Sequence, residues 1–594
     1  MKKFFIAFLG SMAGIWFSLF IAFFGLIIVC AVAAASGAGS SGTKEVKKGS
    51  YLTIDLTNGV SDRPGQLKPM QVLKGETDIP LGLNTIIGAI EAAASDSNID
   101  GLVIESGISN VGMAQLQAIG EAIDRFRKEA PEKWIYAYAD TYTLPDYYLA
   151  TRADSIFLNP IGMIDIHGIG QTGVYFKDLL DKLGVEVQVV KVGTYKSAVE
   201  PFILNEMSEP AREQARLYLD NIWGHIAGNI AGNRNISVDS VNMWANSYLV
   251  TRPAEDYLKL KVVDRLMYRH EFNEKLMALT DVDAPDELKS ISIKDYAIGR
   301  DFLKKGSGKG ANIAVLYACG EIFDTQGDGI VAADLIPEIE KLTDEDTEID
   351  GLIMYVNSPG GSAFASEQIW EALQQFKSVT GKPFYVAMSD YAASGGYYIS
   401  CGADKIFAQP TTITGSIGIY GMVPNAQKLL NDKLGVHIST VRSCENGEIP
   451  GLFNPMSPSL RNAMQGYVNR GYELFTSRCA KGRSMSQDSI KTIAEGRVWD
   501  GAEALKIGLV DQLGTLDDAI AAMAEELNVE TWTVKEYPSV EQKWYELLVE
   551  AGADFEAGIV NDRLGDLAPF YRQINNLNNM SVLQARMEIA EIRL

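Results

Sequence analysis

The chain carries the same sequence pattern twice, in two copies about 250 residues apart. Ile-Asp-Gly-Leu at 99–102 recurs at 349–352, and Tyr-Tyr at 147–148 recurs at 397–398. This spacing is far longer than the period of a solenoid repeat, so it indicates a duplicated domain. The chain is therefore predicted to fold as two related domains in tandem.

Each copy alternates short apolar runs with longer amphipathic stretches. In the first copy the pattern predicts strands and helices in turn, at 51–56, 84–94, 99–104, 114–127 and 134–138. Asn84 is the expected N-cap of the first of these helices. In the second copy, apolar runs at 352–356 and 384–388 predict buried strands. The alternation predicts an α/β fold with a largely parallel sheet in each copy.

The length of 594 residues leaves room for several domains. We predict a transmembrane anchor at 1–38 with a short tether to 49, an N-terminal domain at 50–280, a linker at 281–310, a C-terminal domain at 311–541 and a helical extension at 542–594. The first copy lies in the N-terminal domain and the second copy in the C-terminal domain.

The N-terminal apolar run, from Phe4 to about Ala35, is long enough to span a bilayer. Lys2 and Lys3 precede it, so the N-terminus is expected in the cytoplasm and the body across the membrane. The small residues at 33–36 resemble a cleavage site, which makes a cleaved signal peptide the alternative. We favour an uncleaved anchor because the apolar core of a signal peptide is shorter.

The net charge of −23 argues against nucleic acid or an anionic membrane surface as a partner. The five cysteines follow no metal-ligand spacing, and only four histidines are present to build a histidine-based site. We therefore expect no metal, nucleotide or other cofactor.

Two glycine-rich turns follow the apolar runs of the second copy. They are Asp-Tyr-Ala-Ala-Ser-Gly-Gly-Tyr-Tyr at 390–398 and Asn-Ser-Pro-Gly-Gly-Ser at 357–362. The first turn puts Ser394 at a helix N-terminus, whose positive end favours a nucleophilic oxygen over a protonated one. The second turn and the N–H of Gly395 can supply the two halves of an oxyanion hole. Taken singly, each turn also fits an ordinary strand-to-helix connection.

A comparison of the two copies identifies a partner for Ser394. The corresponding position of the first copy is Leu144, which has no hydroxyl. The first copy instead carries Lys196, and the matching position of the second copy, at or near Gly447, has no lysine. A serine nucleophile needs a base, and lysine can serve where burial lowers its pKa from about 10.4. A solvated surface charge is the ordinary role of a single lysine, but the complementary loss between the copies favours the base.

Four motifs, in this order, resemble those of the signal peptide peptidase A (protease IV) family in its long, duplicated form. They are Gly-Thr-Tyr-Lys-Ser-Ala at 193–198, Asn-Ser-Pro-Gly-Gly-Ser at 357–362, Ala-Ser-Gly-Gly at 393–396 and Thr-Gly-Ser-Ile-Gly at 414–418. The resemblance covers about Tyr51 to Leu527 together with the N-terminal apolar run. It implies tandem ClpP/crotonase-like domains.

The resemblance also implies a membrane-anchored serine endopeptidase that degrades cleaved signal peptides. Ser394 is then the expected nucleophile and Lys196 the general base, with Ser416 orienting the lysine. Gly361 and Gly395 are the expected oxyanion donors. The family assembles as a bowl-shaped homo-oligomer, and we expect a tetramer. The implied location is the bacterial inner membrane, with one span in the lipid bilayer and the catalytic body on the periplasmic side.

Two other functions stay open on the sequence. One is an acyl-CoA enzyme on the same fold, whose glycine turns would hold a thioester oxygen, although such a site needs no Ser/Lys pair. The other is a non-catalytic membrane scaffold, which the loss of either the nucleophile or the base would have favoured. The sequence also leaves open whether Lys196 serves Ser394 of its own chain.

Overall fold

The computed structural model describes residues 14–18, 25, 44–63, 79–108, 110–304, 306, 310–444, 446–447, 451–538, 583–587 and 592–593. The predicted anchor at 1–38 lies outside the described residues except for 14–18 and 25. Within the described part of the chain, no helix is both long and apolar enough to cross a bilayer.

The structure describes ten strands in the first copy and the segment after it. They are β1 (Ser50–Ile54), β2 (Val60–Ser61), β3 (Leu81–Gly82), β4 (Ile99–Glu105), β5 (Trp134–Tyr142), β6 (Ser155–Ile164), β7 (Gly170–Gln171), β8 (Glu186–Val192), β9 (Arg265–Leu266) and β10 (Lys289–Ser292).

The strands of the second copy and of the segment after it are β11 (Ala311–Cys319), β12 (Glu321–Phe323), β13 (Gly329–Val331), β14 (Gly351–Ser358), β15 (Gly360–Ser362), β16 (Phe384–Ala393), β17 (Lys405–Ala408), β18 (Ile413–Gly415), β19 (Ile419–Asn425), β20 (Val498–Asp500), β21 (Gln512–Leu513), β22 (Trp532–Tyr537), β23 (Leu583–Arg586) and β24 (Ile592–Arg593).

The α-helices connect these strands. In chain order they are Leu83–Ser95, Met113–Glu129, Leu144–Ala150, Lys177–Leu183, Glu200–Ile203, Glu209–Arg234, Val238–Ala245, Ala254–Lys259, Arg269–Thr280, Ile293–Ala297, Ala332–Thr343, Ala363–Thr380, Gly395–Ser400, Pro458–Gly482, Gln487–Ile493, Gly501–Lys506 and Leu516–Glu526.

The first copy is built on a parallel sheet of order β10-β1-β4-β5-β6-β9. Helices Leu83–Ser95 and Met113–Glu129 pack on it, and they bury small and branched apolar side chains such as Ile86, Ile119 and Ile123. The predicted parallel α/β architecture is confirmed for this copy. The segment predicted as a linker contributes β10 to the edge of the sheet, where it pairs with β1.

The second copy repeats this plan on a sheet of order β20-β18-β16-β14-β11-β22. Its central strands are parallel, and β20 at one edge runs antiparallel to β18. β14 and β16 are buried on both faces, as the apolar runs at 352–356 and 384–388 predicted.

Matching hydrogen bonds show that the two copies share one structure. Tyr147 donates its hydroxyl to the carbonyl of Val262 at 2.7 Å, and Tyr397 donates to Leu509 at 2.9 Å. In the same way, Asp264 accepts from the N–H of a strand in the first copy, and so does Asp511 in the second. The first tyrosine of each repeated pair therefore joins the helix it lies in to a later segment of the same copy.

A third sheet joins the copies, in the order β13-β12-β15-β23-β19-β8. β8 belongs to the first copy and pairs antiparallel with β19 of the second over seven residue pairs. β23 comes from the segment predicted as a helical extension, whose described part at 583–586 is extended instead. The prediction of helix there is wrong for these residues, because pairing on both sides outweighs their local helical preference.

The predicted N-cap at Asn84 is also wrong. Helix Leu83–Ser95 begins one residue earlier with Gly82 as its N-cap, so Asn84 lies in the first turn. Its side chain is buried and donates to the hydroxyl of Tyr317 in the second copy at 2.8 Å. The side chain of Asn84 thus forms a tertiary hydrogen bond instead of capping the helix, which is the usual role of an asparagine at such a position.

Candidate active site

The carboxyl ends of two adjacent strands meet at the site. β14 and β16 pair in parallel at the centre of the second sheet. β14 runs into the glycine turn that contains Gly361, and β16 ends directly before Ser394. Crevices outside the carboxyl ends of parallel strands are where α/β proteins bind ligands, so the sequence motifs lie where the fold favours a site.

Ser394 adopts an unusual backbone conformation, with φ of 56° and ψ of −113°. A non-glycine residue with positive φ is strained by roughly 1–3 kcal/mol and persists only when its surroundings hold it. Its N–H donates to the carbonyl of Gly415 at 2.8 Å, and its own carbonyl accepts from the N–H of Tyr398 at 2.8 Å. Ser394 is the N-cap residue of helix Gly395–Ser400 and is fully buried. This turn aims the hydroxyl out of the helix end in one fixed direction.

Lys196 reaches that hydroxyl from the first copy. Its Nζ lies 2.7 Å from Oγ of Ser394, 3.0 Å from Oγ of Ser416 and 3.1 Å from the carbonyl oxygen of Ser416. The three oxygens surround a side chain that is 1% exposed. The structure thus brings together the three side chains that the sequence singled out, within one chain.

The surroundings of Lys196 favour its neutral form. Burial lowers the pKa of its amine well below the ordinary value of 10.5, because the charged form loses its hydration. The oxygens that contact Nζ belong to hydroxyl and carbonyl groups, which carry no full charge to offset that loss. A neutral amine has a lone pair, so it can accept the proton of a serine hydroxyl.

The loop that carries Lys196 is fixed by a turn of the second copy. The N–H of Tyr195 donates to the carbonyl of Glu495 at 2.9 Å. Gln214 bridges the two copies, since its amide donates to the carbonyl of Tyr195 and accepts from the N–H of Val498. Sequence reasoning missed Glu495 and Gln214, because their contacts join distant segments and leave no local pattern.

Two positions around Lys196 require glycine. Gly496 has φ of 77°, and a Cβ there would lie 2.7 Å from Cβ of Lys196 and 2.8 Å from its Cα. Gly418, in the last of the four motifs, would place a Cβ 3.3 Å from Cδ of Lys196. Ser416 has φ of 50°, and its N–H donates to the carbonyl of Arg497 at 2.6 Å. The backbone therefore encloses the lysine stem along its length.

The predicted oxyanion donors lie on facing backbone segments. Gly361 is in β15, and Gly395 starts the helix that follows Ser394. Gly360, with φ of 98°, brings the two segments together, since a Cβ there would lie 2.7 Å from the nitrogen of Gly395. A side chain at this place would fill the gap between the donors, so the glycine leaves room for an oxygen atom.

One residue that the sequence did not single out lies at this gap. β23 pairs Ala585 with Gly361. A Cβ on Gly360 would lie 2.2 Å from the carbonyl oxygen of Ala585, and one on Gly395 would lie 3.0 Å from the same oxygen. The carbonyl oxygen of Ala585 therefore lies against Gly360 and Gly395.

Two carboxyl groups, the buried Asp390 and the half-buried Asp62, join the copies beside the site. Asp390, four residues before Ser394, accepts from the N–H of Ala114 of the first copy at 2.8 Å. Asp62 of the first copy accepts from the hydroxyl of Tyr355 at 2.9 Å and from the amide of Asn357 at 2.9 and 3.0 Å. Burial, and then the charge of Asp62, raises the pKa of Asp390 to about 7. The charge state of this contact between the copies therefore changes near neutral pH.

Within the described residues, no group of three or more His, Cys, Asp and Glu side chains could hold a metal ion. The site as built offers a hydroxyl, a neutral amine and converging backbone N–H groups. Such a set can carry out acyl transfer by nucleophilic attack on a carbonyl.

Comparison with known proteins gives matches in both copies. The profile of peptidase family S49 matches residues 127–283 and again residues 377–530, and the Clp protease profile matches residues 315–414. The two S49 matches fall one in each copy, which confirms the duplication and gives tandem ClpP-like domains.

Relatives extend over most of the chain. Protease 4 of Haemophilus influenzae is 34% identical over 535 residues, which cover 88% of this chain and 86% of the relative. The chloroplastic serine protease SPPA of Arabidopsis thaliana is 28% identical over 82% of this chain and 70% of its own length. A shorter relative, the putative signal peptide peptidase SppA of Enterococcus faecium, is 35% identical over 40% of this chain and 70% of its own length.

Proposed function

The chain belongs to peptidase family S49 and is a serine peptidase, and on that premise we propose that it is an endopeptidase with a Ser394/Lys196 dyad. The observation that carries the proposal is the 2.7 Å contact between Nζ of Lys196 and Oγ of Ser394. Family membership leaves no support for the acyl-CoA enzyme or the non-catalytic scaffold.

The proposed reaction is acyl transfer in two steps. Neutral Lys196 takes the proton of Ser394 as its Oγ attacks the scissile carbonyl carbon. The lysine then gives that proton to the leaving amine, and water hydrolyses the ester that remains. Ser416 holds the amine in line with Ser394, which supports a single direction of proton transfer.

The N–H groups of Gly361 and Gly395 are the proposed oxyanion donors. A preorganised donor of this kind contributes roughly 3 kcal/mol to the transition state. The proposal is supported by the close approach of the two glycine segments at Gly360 and Gly395. No step needs a metal or a nucleotide.

The proposed substrates are signal peptides released from preproteins in the membrane. This rests on the motif resemblance and on the name of the Enterococcus faecium relative, a putative signal peptide peptidase. We further propose that residues 1–38 anchor the chain in the bacterial inner membrane, with the catalytic body on the periplasmic side. The active assembly is proposed to be a homo-oligomer, specifically a tetramer. Within each chain, the proposed N-terminal domain spans 50–280 and the proposed C-terminal domain spans 311–541.

A fluorophosphonate probe tests the dyad, because it reacts covalently with an activated serine. We expect the probe on Ser394, located by mass spectrometry, together with cleavage of a signal-peptide substrate. Ser394→Ala should abolish both, and Lys196→Met should lower cleavage by about 10²–10⁴-fold, the usual contribution of a general base.

Lys182→Met is the matched control, since this lysine is an exposed residue of the same copy. It should keep the activity of the parent, and thermal unfolding should show that all three variants fold. Cleavage by Lys196→Met at the parental rate, or labelling of another serine, would show that the dyad is assigned to the wrong residues.

A further inference from the structure

Strand β16 bulges shortly before it reaches Ser394. Val356 of β14 pairs with Met388 of β16. Two residues later on β14, Ser358 pairs with Ala392, which lies four residues later on β16, so β16 carries two extra residues at this place. Bulges bend a strand and change the direction of the side chains that follow, and they are common beside active sites. This bulge therefore sets the direction in which the chain approaches Ser394.

The side chain of Asn357 holds the bulge from the side of β14. Its Oδ1 accepts from the N–H of Tyr391 at 3.1 Å, so a side chain satisfies this part of the bulged backbone. Asn357 lies four residues before Gly361, and Tyr391 lies three residues before Ser394. One amide thus joins the strand that enters the glycine turn to the strand that enters the serine turn.

Asp62 of the first copy fixes the orientation of that amide. Nδ2 of Asn357 donates to the two carboxylate oxygens of Asp62, at 2.9 and 3.0 Å. Oδ1 of the same carboxylate also accepts from the amide of Gln115 at 2.8 Å and from the hydroxyl of Tyr355 at 2.9 Å. A carboxylate only accepts, so the nitrogen of Asn357 must face Asp62 and its oxygen must face the bulge.

The other two residues of the bulge contact the first copy directly. The hydroxyl of Ser389 donates to Oδ1 of Asp62 at 3.4 Å, and the carboxyl of Asp390 accepts from the N–H of Ala114 at 2.8 Å. Gly112 leaves space for that carboxyl, because a Cβ there would lie 1.9 Å from one of its oxygens. The first copy therefore holds two residues of the bulge itself and the third through the amide of the second copy.

We propose that Asn357 and Asp62 are positioning residues, which together fix the bulge of β16 and so hold Ser394 in line with the glycine turn that carries Gly361. The first copy then has a second role in the reaction besides supplying Lys196. The proposal rests on the proposed function, because it takes Ser394 as the nucleophile and Gly361 as an oxyanion donor.

An exchange of the two side chains tests the contact. Asn357→Asp sets a carboxylate against that of Asp62 and should lower kcat by about 10- to 100-fold at a nearly constant KM, because a displaced nucleophile weakens attack more than binding. Asp62→Asn should lower kcat only about threefold, since its oxygen can still accept from Asn357.

The double variant Asp62→Asn/Asn357→Asp again has one amide and one carboxylate, in exchanged places. The new carboxylate at 357 can accept both from the new amide at 62 and from the N–H of Tyr391. Its kcat should therefore return to within about threefold of the parent, whereas independent effects would make it lower than that of Asn357→Asp.

Asn357→Ala removes the amide without adding a charge, which guards against a variant that fails to fold through repulsion. It should lower kcat by about tenfold, again at a nearly constant KM. The rate of fluorophosphonate labelling at Ser394 should fall in parallel, because the probe reacts at the same oxygen. Urea unfolding gives the folded fraction to which each kcat is referred.

Asn221→Asp is the matched control. Nδ2 of Asn221, in the first copy, donates to the carboxylate of Asp500 in the second copy at 2.7 Å. The variant therefore also sets two carboxylates against each other between the copies. It should lower the stability of the fold and keep kcat at the parental value.

A lower kcat in both Asn357 variants, restored by the exchange and not seen in Asn221→Asp, supports the proposal. A parental kcat in Asn357→Ala, an additive loss in the double variant or an equal loss in Asn221→Asp overturns it, while labelling of Ser394 leaves the proposed function standing. Absence of labelling in the parent would instead overturn the proposed function, and this inference with it.

Discussion

At the scale of the residue, the central feature is an amine that loses its charge by burial. Lys196 contacts three oxygens and is nearly inaccessible to water. A charged ammonium at this place would lie between hydroxyl and carbonyl groups without a carboxylate to balance it. The same burial that makes Lys196 a base therefore costs stability whenever the amine is protonated.

The pH dependence of cleavage follows from this burial. Only neutral Lys196 accepts the serine proton, so kcat/KM should rise with pH until the pH passes the pKa of this amine, which burial lowers well below 10.5. A pH–rate profile with a substrate that does not titrate measures the midpoint. A midpoint close to 10.5 would mean that the lysine is not the base.

The same group predicts a pH dependence of stability. In the unfolded chain the lysine binds a proton up to about pH 10.5, whereas in the folded chain it loses that proton at lower pH. The folded state therefore gains stability as pH rises between these two pKa values. Because Lys196→Met removes this dependence, its advantage in free energy of unfolding over the parent should shrink towards pH 10.5, by up to about 1.4 kcal/mol per pH unit.

At the scale of the element, one turn of the second copy positions one loop of the first. The carbonyl of Glu495, directly before Gly496, accepts from the N–H of Tyr195 and so holds the loop that carries Lys196. A backbone contact of this kind depends on the absence of a side chain more than on the presence of one. The glycine is thus a positioning residue for the lysine.

A pair of glycine substitutions separates this contact from backbone strain. Gly496→Ala places a Cβ 2.7 Å from that of Lys196, so we expect a loss of about 1–3 kcal/mol in unfolding free energy together with a lower kcat. Gly508→Ala has nearly the same φ, 80°, but its Cβ would meet only Sδ of Met485, at 3.7 Å. It should share the strain and keep kcat.

Chemical denaturation and steady-state kinetics of both variants make the comparison. An unchanged kcat in Gly496→Ala, with stability lowered equally in both variants, would show that the turn does not position the lysine. The difference between the two variants, rather than either value alone, measures the contact.

The parallel sheets were predictable, but the sheet between the copies was not. β14 and β16 contain short, continuous apolar runs, and such runs indicate strands buried on both faces. β8 and β19 bring together residues such as Val192 and Ile419, which lie far apart in the chain. No local pattern records a pairing of that range, so the sequence could not predict it.

The candidate site was predictable for a related reason. The duplication let Ser394 and Lys196 be recognised by what each copy lacks, and the structure brings the two side chains within hydrogen-bonding distance. Ala585 left no such trace, because it has no counterpart to compare and its role in the third sheet is set by pairing alone. Sequence motifs therefore do not predict the backbone contacts that a site makes with distant segments of the chain.

At the scale of the whole molecule, the contact between the copies includes a carboxyl group that titrates near neutral pH. Asp390 has a pKa of about 7 in the folded chain, against 3.8 as its ordinary value. The folded state therefore holds a proton that the unfolded state releases, and stability falls as pH rises from about 3.8 to 7. Above about pH 7 the free energy of unfolding no longer changes through Asp390, because the carboxyl is then charged in both states.

Asp390→Asn should remove this dependence, since an amide stays uncharged and its oxygen can still accept from the N–H of Ala114. Its free energy of unfolding relative to the parent should be about 2–3 kcal/mol higher at pH 8 than at pH 5. Urea unfolding at the two pH values measures the change. Asp346→Asn, at an exposed site, is the control, and an equal shift there would assign the effect to general charge instead.

The two copies contribute to one site within a single chain, and this determines how variants combine in an oligomer. Nζ of Lys196 and Oγ of Ser394 are 2.7 Å apart in the same chain, and β8, which precedes the lysine loop, pairs with β19 of the second copy in the third sheet. A chain that lacks the amine and a chain that lacks the hydroxyl are then both inactive. Their mixture should be inactive too, because neither chain can supply its remaining catalytic group to the site of the other chain.

Lys196→Met and Ser394→Ala chains, unfolded together and refolded, test this directly. We expect no recovery of peptide cleavage above the sum of the separate variants, whereas either variant refolded with the parent should give activity in proportion to the parent chains. Recovery to about a quarter of the parental activity would show that the lysine loop crosses between subunits. In that case the third sheet would form between chains rather than within one.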